Sequence, residues 1–192
     1  KDYYDLNPDL AVDVSKRWQE FEELLKRIKE LELGTIIDFV PNHVSRDYKT
    51  NSATKQAKDL GANDNKELAF HPDNNFYYIP NSELILPGKS RNKNNQHHEM
   101  PAKATGNNVF SASPDKNDWY ETIKLNYGHN FDSNEDHFYP TPDTWIKMLE
   151  ILDFWADKGI SGFRCDMAGM VPAAFWKFAI SSIKTKHSNI IF

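Results

Sequence analysis

The chain has 192 residues, of which 23 are basic and 28 acidic, for a formal net charge of −5. That balance leaves no basic footprint, so nucleic acid is not expected as a partner, and no apolar run approaches the roughly 18 residues of a membrane-spanning helix. The single cysteine, Cys165, excludes an internal disulfide. The length permits a sizeable core in one domain or a little more. No signal peptide opens the chain. It begins at Lys1 without a methionine and reads as a fragment, so its compartment is unknown.

In chain order, residues 1–8 read as loop. A helix is expected over residues 15–33, where Trp18, Phe21, Leu25, Ile28 and Leu31 recur on one face and Gly34 provides a stop. Next comes a buried-looking strand, Gly34-Thr35-Ile36-Ile37-Asp38-Phe39-Val40, leading into Pro41-Asn42-His43. Asp38, Val40 and Asn42 share one side, and Pro41 ends strand pairing.

From residue 44 to about 139 the periodicity fails, and Asn, Asp, Ser, Gly and Pro crowd the segment. A structureless loop of that length does not suit a compact domain, so a small irregular subdomain is expected. Residues 76–79 and 109–110 are candidate short strands, Trp119 and Tyr120 candidate core anchors, and residues 90–99 a candidate exposed tip. His97-His98-Glu99 invites a metal reading. Adjacent histidines on extended chain point to opposite faces, however, and spacing places no third ligand, so a solvated loop is the simpler reading.

A second helix is expected from Thr141 as cap and Pro142 as first residue to about Lys158, burying Trp145, Met148, Leu149, Leu152 and Trp155. After Gly159 a short strand over residues 160–165 ends in Asp166. Its alternation puts Gly162, Arg164 and Asp166 on one face, with Phe163 and Cys165 on the other. Arg164 so close would favour the ionised carboxylate of Asp166, the state a carboxylate nucleophile needs. Gly162 is expected to leave open space below the pair. An isolated Arg-x-Asp reads more simply as a structural ion pair, since such pairs also perturb pKa values; the second strand-end motif at residues 38–43 is what shifts the balance. Pro172 then opens a third helix to about Lys186, burying Phe175, Trp176, Ala179, Ile180 and Ile183, and residues 190–192 begin another strand.

Helix–strand alternation of this kind argues for an α/β fold with parallel strands and right-handed crossovers. Polar residues at the C-terminal ends of both strands match the way α/β barrels carry their active sites. Asp38-Phe39-Val40-Pro41-Asn42-His43 resembles the first conserved region of the α-amylase family of glycoside hydrolases. Gly162-Phe163-Arg164-Cys165-Asp166 resembles the second, and Leu125-Asn126-Tyr127 falls where that family has a short motif near the end of its inserted domain B. The resemblance implies a partial (β/α)8 TIM barrel: barrel parts at residues 1–43 and 140–192, with an irregular domain B at 44–139.

It further implies a retaining mechanism on α-glucosidic bonds of starch-like glucans or maltooligosaccharides. Asp166 would be the nucleophile, Arg164 its electrostatic partner and His43 a sugar-contacting neutral group, whose plainer alternative is a loop histidine bonded to backbone. Asp38 and Asn42 would be structural, tying the strand end to the loops. The general acid would lie beyond Phe192, so the chain alone is expected to be inert and, with barrel edges exposed, to self-associate, adopt an altered arrangement or derive from a longer chain.

Two positions depart from the family. Gly169 and Met170 stand where many α-amylases have an aglycone-binding Lys-His pair, which opens the way to shorter substrates or transglycosylation. Lys124 stands where calcium-binding members have an aspartate ligand, so no metal and no cofactor are expected. A non-catalytic carbohydrate-binding relic is the reading from another class. Retention of Arg164, Asp166 and His43 together favours an enzyme.

Overall fold

A computed structural model describes residues 2–49, 59–88 and 97–192. Helix α1 (Arg17–Glu30) leads to strand β1 (Ile36–Phe39), and helix α2 (Asp143–Asp157) leads to a second strand, Gly162–Cys165. Between them lie six shorter strands: β2 (His43–Ser45), β3 (Tyr78–Ile79), β4 (Ala102–Lys103), β5 (Thr122–Lys124), β6 (His129–Asn130) and β7 (Glu135–Asp136). The Gly162–Cys165 strand is therefore β8, and helix α3 (Ala173–Lys186) follows it.

β1 and β8 are parallel neighbours, with Ile36 opposite Gly162, Asp38 opposite Arg164 and Phe39 opposite Cys165. A third parallel position follows on the far side of β8. Ile191 bridges to Gly162, its carbonyl accepting from Phe163 N at 2.9 Å and its N–H donating to Ser161 O at 3.0 Å. The expected alternation of helix and parallel strand is present.

That third position corrects the reading of Gly162. A Cβ there would meet the Ile191 side chain and lie 2.7 Å from the Ile191 carbonyl oxygen, so the glycine serves close strand approach and leaves no open space. Gly162→Ala is expected to push the strands apart and cost about 1–3 kcal/mol, the usual scale of overpacking. A urea titration should show a lower midpoint at unchanged slope, and an unshifted midpoint would refute the close approach.

The helices deliver the apolar stripes with small shifts. In α2 the side chains of Trp145, Met148, Ile151, Leu152 and Trp155 are buried, and in α3 those of Phe175, Ala179 and Ile183. Trp176 and Ile180, expected inside, are half-buried. α2 begins at Asp143, one residue later than expected: Pro142 is extended at ψ 143° and no side chain caps the end. α1 contributes Trp18 stacked on Trp155 at 5.7 Å and Phe21 edge-on to it at 5.9 Å. Leu31, expected on the same stripe, lies in the cap beyond Glu30 and is exposed.

Among the described residues of 44–139, the strands are two or three residues long and pair antiparallel: β2 with β5, β3 with β4, β6 with β7. Residues 109–110 are not a strand. Thr105 and Val109 close a turn with Asn108 at φ 65°, and Phe110 packs on Tyr77 and Phe131 instead. Trp119 and Tyr120 are not core anchors, since Trp119 is exposed and Tyr120 half-buried. Phe76, Tyr78, Ile123, Leu125 and Tyr127 fill that role.

Most of the expected tip, residues 90–96, lies outside the described residues. Glu99, at its end, is buried and ion-paired with Arg46, against the exposed reading. His97 turns to Glu99 at 3.4 Å while His98 turns to Glu83 at 2.7 Å, so the histidines diverge. No helix among the described residues is long and apolar enough to cross a membrane.

Candidate active site

The parallel register places Arg164 directly beside Asp38. Its guanidinium donates from Nη1 to Asp38 Oδ2 at 2.8 Å and from Nη2 to Asp166 Oδ1 at 3.0 Å. One planar cation thus holds two carboxylates, from adjacent strands, in fixed relative orientation. Asp166 extends the ladder one step past β8, donating its N–H to Phe39 O at 2.9 Å. Met167 then takes a left-handed conformation, φ 54°, and the chain turns sharply away. The Asp166 carboxylate is left at a strand end, partly open to solvent.

Asp38, expected to tie its strand to the loops, shares the guanidinium of Arg164 with Asp166. Cys165 packs on the opposite side, where burial pushes its thiol up to about 11, a poor setting for nucleophilic chemistry.

His43 follows β1 by a loop in which each carbonyl is held. Tyr3 Oη donates to Val40 O at 2.6 Å, Tyr127 Oη to Pro41 O at 2.8 Å, and Leu125 N to Asn42 O at 3.1 Å. Tyr3 is itself fixed where Trp155 Nε1 donates to its carbonyl at 2.7 Å. Gly106 passes so close that a Cβ there would meet Thr122 Oγ1 at 2.7 Å and His43 Cβ at 2.9 Å. The His43 ring stands edge-on to Trp119, with centroids 5.4 Å apart. Burial lowers the His43 pKa, the Lys124 cation lowers it further, and Asp166 opposes both. The ring is therefore held neutral at neutral pH, close enough to Asp166 to sense its charge.

Asn42 is completely buried. Its Nδ2 donates to Gly106 O at 2.8 Å and contacts His43 Nδ1 at 3.1 Å, while its Oδ1 accepts from Lys124 Nζ. Lys124, also buried, gives a second hydrogen bond to Met170 O at 3.1 Å, and burial brings its pKa down to about 8. Calcium would need six to eight oxygen ligands. Here an ammonium occupies the space between two of the available oxygens, Asn42 Oδ1 and Met170 O, so these residues do not fit a calcium ion. Gly169 contributes no side chain, and Met170 contributes its carbonyl.

The structure brings Asp38, Asn42, His43, Arg164 and Asp166 to one end of neighbouring parallel strands. Sequence reasoning missed Tyr3 and Trp119 at this site. Tyr3 carried no signal beyond its place in a loop, whereas Trp119 was legible as an aromatic in a polar segment and was assigned to the core.

Residues 2–188 match the alpha amylase catalytic domain. Maltase A1 of Drosophila melanogaster is 26% identical over 166 residues, covering 86% of this chain and 24% of that protein. An alpha-1,4-glucan:maltose-1-phosphate maltosyltransferase of Cereibacter sphaeroides is 23% identical over 210 residues, covering 99% and 31%. The fold matches an alpha-amylase from Lactobacillus plantarum with a TM-score of 0.55 and 24% identity, over the whole of this chain and 30% of that one. The chain thus spans about a quarter to a third of the length of these relatives. Two strand-end motifs in register, and a match running over nearly every residue, place this chain in the alpha-amylase family of glycoside hydrolases and transferases.

Proposed function

We propose that this chain forms part of a (β/α)8 catalytic barrel, interrupted by a domain B at residues 44–139, that acts on α-glucosidic bonds of maltooligosaccharides or starch-like glucans with retention. The observation that carries this reading is the Arg164 guanidinium bridging Asp38 and Asp166 beside a neutral His43. In this reading a carboxylate oxygen of Asp166 attacks the anomeric carbon as the glycosidic C–O bond breaks, and the departing oxygen takes a proton from a carboxylic acid. Water, or a second sugar hydroxyl, then attacks the glycosyl ester, giving hydrolysis or transfer. Arg164 keeps the nucleophile oriented, and His43 donates a hydrogen bond to the bound sugar.

The resemblance assigns the acid to a position beyond Phe192. The 192-residue piece by itself is therefore inert in this account, and general-acid assistance is worth roughly 10²–10⁴-fold. The Lys124 geometry supports a site that works without calcium. The test is proton NMR of the first product formed from maltotriose by the full-length protein. An α-anomer appearing before mutarotation is expected, and a β-anomer would overturn the retaining assignment and with it the nucleophile role of Asp166.

A further inference from the structure

We propose that Lys124 is a positioning residue that fixes His43 in the tautomer carrying its proton on Nε2, acting through the side-chain amide of Asn42. Donor and acceptor capacity fixes which way the amide faces. An ammonium only donates. Of its two acceptors here, one is Met170 O and the other is the Asn42 side chain. The Asn42 atom facing Lys124 must therefore be the oxygen, because a flipped amide would set NH₂ against NH₃⁺.

A second contact reaches the same assignment independently. The opposite end of the amide lies 2.8 Å from Gly106 O, an acceptor only, which demands nitrogen there. Asn42 Nδ2 then has one hydrogen for Gly106 O and one for His43 Nδ1 at 3.1 Å. Nδ1 must accept. In a neutral imidazole the nitrogen that accepts leaves the proton to the other, so His43 presents Nε2–H as a donor. Lys124 also draws together three segments, Asn42 after β1, the end of β5 and the turn after β8, with a covalently attached charge. What Nε2–H meets in the cleft rests on the sugar-binding reading above, whereas the tautomer does not.

The test is a long-range ¹⁵N–¹H correlation spectrum of the histidines in the full-length protein, with His43 assigned by His43→Gln and no substrate present. A pyridine-like Nδ1 and a pyrrole-like Nε2 are expected in the unsubstituted protein. Lys124→Met leaves only Gly106 O to orient the amide, so the flipped form should become populated and give averaged, mixed-tautomer shifts, while Lys124→Arg should restore the single Nε2–H form. Asn42→Asp, whose ionised carboxylate accepts only, should move the proton to Nδ1 and remains informative if Lys124→Met does not fold. Nδ1–H in the unsubstituted protein, a single Nε2–H form persisting in a folded Lys124→Met, or an unchanged tautomer in Asn42→Asp, would overturn the proposal. Because the spectrum is read without substrate, an absence of glucan turnover would count against the functional reading and leave the tautomer result standing.

Discussion

Asp166→Asn in the full-length protein is expected to abolish turnover of maltooligosaccharides, by on the order of 10⁴-fold or more, the scale on which removal of a covalent nucleophile is felt. The substitution keeps the shape of the side chain and removes the oxygen anion that attacks the anomeric carbon. Stability should hardly change. Arg164 loses its 3.0 Å ionic partner yet keeps Asp38 at 2.8 Å, so the guanidinium stays paired. The strand end is also partly open to water, where such pairs contribute little. Steady-state kinetics and a thermal midpoint, measured on the same preparation, separate the two effects. Full activity in the variant would remove Asp166 as nucleophile, and a large fall in the midpoint would recast it as a structural carboxylate.

The parts of this fold that were legible in the sequence are those with a long period. α2 and α3 announce themselves by apolar stripes several turns long, and β8 by a short apolar run between a glycine and a helix. What escaped depends on register or on partners far along the chain. That Arg164 serves Asp38 as well as Asp166 follows from the pairing of β1 with β8, whose partners stand 126 positions apart in the chain. Gly162 is small because of Ile191, which belongs to the next strand position. Segment 44–139 escaped for another reason. Strands of two or three residues carry no period, and their placement comes from bonds such as Tyr127 Oη to Pro41 O and Asn126 Nδ2 to His71 O. The chemistry of a lysine marks Lys124 as a poor calcium ligand from the sequence alone. Its role as the donor that orients Asn42 needed the geometry of both residues.

Arg46→Met is expected to be among the most destabilising single changes in segment 44–139, at about 3–5 kcal/mol, because it strands a buried charge. The Arg46 and Glu99 side chains are 4% and 5% exposed and meet at 2.5 Å. Arg46 also donates to Tyr120 O at 2.6 Å and Lys103 O at 3.0 Å, so one guanidinium joins β2, β4 and the approach to β5. Burial pushes the Glu99 carboxyl up, but Lys103 and Arg46 together outweigh it and hold the group below its ordinary range. A carboxyl lowered on folding contributes stability above its unfolded pKa, and that contribution is lost as pH falls through the folded value. Without Arg46, burial is opposed chiefly by Lys103, through its ammonium at 3.3 Å and its backbone N–H at 2.8 Å, with His97 at 3.4 Å. The Glu99 pKa should rise, and the variant should lose less of its remaining stability on acidification than the unsubstituted protein does. Adding Glu99→Gln to Arg46→Met removes the stranded charge and should recover part of the loss, which a double-mutant cycle in urea at neutral pH would measure. Strictly additive losses in that cycle, or an Arg46→Met variant as stable as the parent, would show that Arg46 is not what holds Glu99 in the interior.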